Sequence, residues 1–236
     1  MIKEALQYIV SMKEPVIKVI GGETYSDKQL TRIIHNPKAS QISMTTLTSL
    51  IDYIKSGVDQ MDDKMFIQVD SPTKVTLFSE LDLDREREYL VTVDAKVPNF
   101  DFGRYIEHEM FCISLQSKFI KNADRDLVLK FAGTVEDGTV AQYGDDGVTQ
   151  KATVKTGISS KSDAIVPNPV NLKPYRTFQE VDQPSSNFIF RMKSNREIEC
   201  AIFEADGGAW RNEAMKNIKE YLQDALKEYP RFTVIS

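Results

Sequence analysis

The chain has few of the residues from which catalytic and metal centres are usually assembled. It contains two histidines, two cysteines and one tryptophan. No CxxC or HxxxH spacing occurs, so neither a zinc site nor a disulfide framework is supported. Cys112 and Cys200 lie in stretches patterned as a buried helix and a buried strand, and both read as reduced core thiols. His108 stands between Glu107 and Glu109. Adjacent side chains on a helix diverge by about 100° and cannot chelate together, so His108 reads as a surface or interface histidine. The GxSxG nucleophile elbow, the Walker phosphate loop and the GxGxxG dinucleotide fingerprint are absent. No catalytic residue, metal site or cofactor is therefore assigned from the residues.

Long apolar runs are also missing, and none approaches the roughly 18 residues that a membrane-spanning helix needs. The opening MIKEALQYIVSMKEP carries Glu4 and no small-residue cleavage site, which reads as lacking a secretory leader and gives a cytoplasmic expectation. An excess of basic charge is lacking as well. The net charge of −5 argues against a protein whose main task is to coat nucleic acid, although a local basic groove remains compatible with it.

What is present is ordinary core-forming material, with 41% apolar and 28% charged residues in 236. Leu6, Ile9 and Val10 share a helical face over 2–13, Pro15 stops that helix, and VIKVI (16–20) reads as a strand. Ser26 with Gln29 reads as a capping box that opens a short helix to about His35. Thr45 or Thr46 caps a helix with Leu47, Leu50, Ile51 and Ile54 on one face, closed by Gly57. The period then shifts to two, giving strands at 65–70, 74–81 and 88–97. A long helix is predicted from Phe102 to about Phe119, with Asp101 as cap and Ile106, Met110 and Ile113 along one face. Another follows from Asn122 to Gly133. Short strands are expected at Thr134-Val135 and Thr139–Tyr143, with a longer one over 148–158. The three prolines of PNPVNLKPYRTF suit a sheet edge. Strands at 187–193 and 198–204, a helix striped by Trp210, Ala214, Ile218 and Leu222, and a last strand at 232–235 complete the chain. The sum is an α+β fold, a mixed and mostly antiparallel sheet packed against helices. It forms a single domain over 1–236, with an N-terminal helical subdomain over 1–60.

The candidate binding surface is the polar stretch from Glu136 to Phe178. Within it, Lys151, Lys155, Lys161, Lys173 and Arg176 stand against Asp163 alone from Gly147 onward, with Thr153 and Thr156 beside them. Ammonium and guanidinium groups among hydroxyls suit a phosphate or an acidic protein face. Lysines also guard exposed strand edges against unwanted pairing, and that explanation stands beside the first. Gly207-Gly208 reads as a tight strand-to-helix connection with Asp206 as cap, or as an anion-holding helix start.

The succession TLTSLIDYIKS, FDFGRYIEHEMFCISLQSKFI, DDGVTQKATVKTG, IVPNPVNLKPYRTF and a closing helix after FEADGGAW resembles the YfdQ-like family. This is a family of unknown function encoded by tailed phages and prophages. The opening VIGGETYSDKQL brings the chain nearer to its branch in phages of Firmicutes. The resemblance covers nearly all of the chain. It brings no catalytic residues, and it implies a phage accessory protein acting in the host cell cytoplasm.

Three functions follow as expectations. The first is a non-enzymatic protein that binds and blocks or sequesters a host component, either a defence protein or its nucleotide signal. The second is a replication or recombination accessory protein that binds single-stranded nucleic acid through the same basic residues and Tyr143, Tyr175 and Phe178. The third is a hydrolase built on Glu136, Asp145 and Asp146. Homo-oligomers are expected, because the proline-rich edge and exposed strands offer pairing surfaces.

Overall fold

The computed structural model describes residues 2–12, 15–29, 38–59, 61, 64–137, 139–145, 150–156, 160–166, 168–194 and 198–236. At 11, 23, 134–137, 139–145, 150–156, 160–166 and 194 the description is of the backbone alone. The chain divides into two units, Met1–Lys38 and Ala39–Ser236.

In the first unit, helix α1 (Ile2–Ser11) precedes an antiparallel hairpin of β1 (Ile17–Ile20) and β2 (Glu23–Ser26). Gly21 and Gly22 turn it at φ 64° and 89°, the left-handed pair that a two-residue hairpin loop demands. Val16 N–H donates to Asp27 Oδ1 at 2.7 Å and fastens the open end. The expected capping box is not formed. Ser26 instead ends β2 and its hydroxyl accepts from Lys28 N–H at 3.3 Å. The remainder of that expected helix, from residue 30 through His35, lies outside the described residues.

The second unit begins with β3 (Ile42–Met44) and α2 (Leu47–Ser56). Thr46 caps α2, its hydroxyl accepting from Ser49 N–H at 3.2 Å, and Gly57 ends it in the left-handed conformation. Strands β4 (Met65–Ser71), β5 (Lys74–Ser79) and β6 (Tyr89–Asp94) form the expected meander. Its borders are closed by parallel strands, β3 beside β6 and the last strand beside β4, so the five-stranded sheet is mixed. Leu47, Leu50, Ile51 and Ile54 are buried against it, each worth about 2 kcal/mol of transfer free energy. α2 therefore belongs to the core of the second unit.

A second core follows. β7 (Ile106–Glu107) leads into α3 (His108–Lys118), then α4 (Ala123–Asp137). Strands β8 (Thr139–Asp145), β9 (Gln150–Thr156) and β10 (Ser160–Val166) make a three-stranded antiparallel sheet. β11 (Val170–Leu172), β12 (Ser186–Ser194) and β13 (Ile198–Glu204) join β7 in a four-stranded sheet, with β11 at its edge as the prolines suggest. Phe111, Leu115 and Phe119 from α3 and its end pack with Val128, Phe131, Phe188, Phe190 and Cys200. Helix α5 (Trp210–Ala225) buries Ala214, Ile218 and Leu222, the last two in the core of the five-stranded sheet, which β14 (Phe232–Ile235) completes.

The long helix expected from Phe102 is shorter. Gly103 turns at φ 76°, and the Glu107 carboxylate caps α3 by accepting from Glu109 N–H at 2.8 Å and Met110 N–H at 3.0 Å. Its buried face carries His108, Phe111, Ser114 and Leu115, whereas Met110 and Ile113 are exposed. α4 runs past Gly133, so Thr134-Val135 is helical and not a strand. Among the described residues no helix is long and apolar enough to cross a membrane.

Candidate functional site

Five of the seven candidate binding residues fall on the three-stranded sheet. Lys151, Thr153, Lys155 and Thr156 lie on β9, and Lys161 lies on β10. β9 is the middle strand, so the guarding of a sheet edge does not account for Lys151 or Lys155. Backbone pairing sets Lys155 directly opposite Lys161, Thr153 opposite Asp163, and Thr156 opposite Ser160. On its other side β9 sets Lys155 against Thr139 and Lys151 against Gly144. Their side chains lie outside the described residues, as do those of Tyr143, Glu136 and Asp145 and the whole of Asp146.

Arg176 is not part of that surface. Its side chain is buried, with Nη1 donating to Glu204 Oε1 at 3.1 Å and Nη2 to the Ser186 hydroxyl. The guanidinium carbon stands 3.9 Å from the Trp210 ring centroid, a desolvated cation–π contact. Arg176 Nε and Trp210 Nε1 are buried without a hydrogen-bond partner among the described residues, so ring contact replaces part of the usual polar satisfaction. Burial pulls the Arg176 pKa down to about 10 against the opposing pull of Glu204 and Asp206. Such an arginine ties β12, β13 and the start of α5 together and is not available to a ligand. Lys173 is half-buried just beyond β11, where its carbonyl accepts from Ile120 N–H at 2.8 Å.

The loop between is organised by Gln183. Its Oε1 accepts from Arg176 N–H at 3.0 Å and Thr177 N–H at 3.2 Å, while Nε2 donates to the Phe178 and Val181 carbonyls at 2.9 and 3.3 Å. One amide thereby satisfies the turn's buried backbone groups. It also drives Phe178 into the core at 1% exposure, where no base can stack on it.

His108, expected at the surface or an interface, is buried on the inner face of α3. Cys112, one turn later, brings Sγ to 3.6 Å from His108 Nε2. The spacing of four residues on one helix was sufficient to indicate this pair. Cys200 is fully buried, and burial, with smaller contributions from Cys112 and Glu107, pushes its thiol pKa up to about 12. At Gly207-Gly208 the connection is a capped turn: Asp206 Oδ1 accepts from Gly208 N–H at 3.0 Å. Among the described residues no group of three or more His, Cys, Asp or Glu is arranged to hold a metal ion.

A cavity of about 290 Å³ opens where the C-terminal turn of α2 meets the ends of β3, β5 and β6. Tyr53, Asp59, Ser79 and Glu88 supply its polar lining; Ile42, Met61, Met65 and Leu90 supply its apolar lining. Tyr53 O–H donates to Asp59 Oδ2 at 2.6 Å, and Ala39 N–H donates to Glu88 Oε1 at 2.5 Å. Burial, the Asp59 hydrogen bond and the charges of Asp59 and Glu88 hold the Tyr53 phenol well above its usual pKa. Sequence reading does not reach this cavity, because its carboxylates come from segments about thirty residues apart and only the fold joins them.

No family model, no curated protein and no solved structure matches this chain.

Proposed function

We propose that this chain is a non-enzymatic phage accessory protein that sequesters a negatively charged host component, with the β8–β10 sheet as its contact surface. The phage assignment rests on the YfdQ-like resemblance of the sequence. The observation that supports the binding role is the register of Lys155 opposite Lys161. Like charges at directly opposed positions destabilise a strand pair. An anion lying across them removes that penalty, and charge-assisted hydrogen bonds to phosphate oxygens are among the stronger polar contacts. A nucleotide signal or an acidic protein face both meet that requirement, and the site of action is the host cytoplasm.

Lys161→Glu separates this role from a structural one. It turns the opposed pair into one of opposite sign, so the sheet should gain about 0.2–1 kcal/mol while anion binding is lost. Mass spectrometry of material co-purifying with the native protein and with Lys161→Glu provides the readout. Retention of the same bound species by the variant would remove the assignment. The single-strand reading loses Phe178 to the core. Steeply salt-dependent binding of an oligonucleotide would favour it over the first.

A further inference from the structure

The cavity beside Tyr53 is a second place where this chain can hold a partner, and its chemistry is the opposite of the lysine sheet's. Apart from the Ser40 hydroxyl, the hydrogen-bond donors described around it are already engaged. Tyr53 O–H serves Asp59, Ala39 N–H serves Glu88, Ser79 O–H donates to the Glu80 carbonyl at 2.8 Å, and Glu88 N–H donates to Ser79 Oγ at 2.9 Å. What remains on Asp59 and Glu88 is acceptor capacity, Oδ1 on the first and Oε2 on the second, on groups that carry negative charge. Among the described residues no Lys or Arg lines the cavity. Arg87 and Arg231, which border the same elements, are held on the carbonyls of Ser79 at 2.9 Å and Met61 at 2.8 Å.

A site whose polar lining is dominated by unused acceptors on two carboxylates, with one serine hydroxyl beside them, disfavours anions. It matches a group rich in N–H donors. Its apolar wall suits an aliphatic stem: Met61 and Met65 are 6% and 2% exposed, and methionine adapts its shape to what packs against it. The volume of about 290 Å³ lies at the small end of ligand sites, enough for one short chain and its head group. From this we infer that the cavity binds an organic cation, an alkyl-guanidinium or alkyl-ammonium whose head lies between Asp59 and Glu88 and whose stem lies on Met61 and Met65. The phenol of Tyr53, kept protonated by its surroundings, orients Asp59 for that contact.

The same chemistry is carried by a free amine and by an arginine side chain of a protein partner. Agmatine and an N-acetyl-arginine amide distinguish the two sources. With methyl-labelled protein, agmatine should shift the Met61 and Met65 resonances saturably at low salt, whereas butyrate should not. Asp59→Asn and Glu88→Gln, which preserve shape, should each weaken agmatine at least about ten-fold, as expected for loss of a charge-assisted contact. Binding of both probes assigns the site to a protein side chain; binding of agmatine alone assigns it to a free cation. The inference is overturned if neither probe shifts those methyls at about 10 mM, or if both variants bind as tightly as the parent.

Discussion

The Arg176 guanidinium carbon lies 3.9 Å from the Trp210 ring centroid while Nη1 holds Glu204 at 3.1 Å. A cation at this position has a structural duty, and that sets apart two residues that look alike in the sequence. Arg176→Met should lower stability by about 2–4 kcal/mol, since it leaves Glu204 and Asp206 facing an apolar side chain. Arg176→Lys should recover only part, because an ammonium lacks the planar fork that reaches Glu204 and Ser186 together. Lys173→Met should stay within about 0.5 kcal/mol. Urea unfolding of the four proteins side by side provides the comparison.

Helix α2 is fastened at its start by Thr46 and by Glu180, whose Oε1 accepts from Thr48 N–H at 3.2 Å. Thr46→Ala should cost about 1 kcal/mol, and Thr46→Ser should cost little. Thermal melts followed by circular dichroism measure both. An alanine variant as stable as the parent would mean that Glu180 alone suffices.

Asp206 titrates below the ordinary carboxylate value near 3.9. Burial works against that shift, but the Ser186 hydroxyl, the backbone N–H of Gly208, the Arg176 charge and the backbone N–H of Trp210 outweigh it. A carboxylate with a depressed folded pKa contributes stability that is fully present above its unfolded value. That stability is lost as pH falls through the folded value. Asp206→Asn should therefore flatten the acid limb of a stability–pH curve below about pH 4 and leave its slope near neutrality unchanged. An unaltered acid limb would show that the depressed pKa does not occur.

The two thiols should behave differently. Cys200, fully buried with its pKa near 12, should resist iodoacetamide at pH 8 in the folded protein. Cys112, half-buried beside His108, should be the one alkylated. Intact-mass spectrometry should show one adduct on the native protein, none on Cys112→Ser, and two on the parent after denaturation.

Where one periodicity ruled a segment, the sequence was a reliable guide. The four-residue stripe of α2 with its Thr46 cap and Gly57 stop is legible, and so is the alternation through β4, β5 and β6. α3 is not legible in the same way, because apolar residues ring it. Nothing in FDFGRYIEHEMFCIS says that Gly103 turns, that Phe102 stacks on Phe188, or that Glu107 rather than Asp101 caps the helix. The choice between inner and outer faces was made by tertiary partners from β12 and β13.

The binding stretch shows the same limit from another side. Local charge brought Arg176 into one group with Lys151 and Lys155, yet its counter-ion lies 28 residues away and its aromatic partner 34. The pairing of Lys155 with Lys161 follows from β10, a strand whose SKSDAIV gives only a weak alternation. Tyr53, Asp59 and Glu88 needed the fold before they became neighbours at all.

The five-stranded sheet has a local centre and distant borders. β4, β5 and β6 are joined by short connections, whereas β3 pairs with a strand about fifty residues on and β14 with one well over a hundred residues back. Closing such large loops is entropically slow, while the meander can assemble from neighbours alone. The order of assembly is thereby written into the layout: a three-stranded ribbon waits, with both flanks open, until the far ends of its own unit arrive to seal it. During that interval its exposed margins are at their most vulnerable to pairing with a stranger.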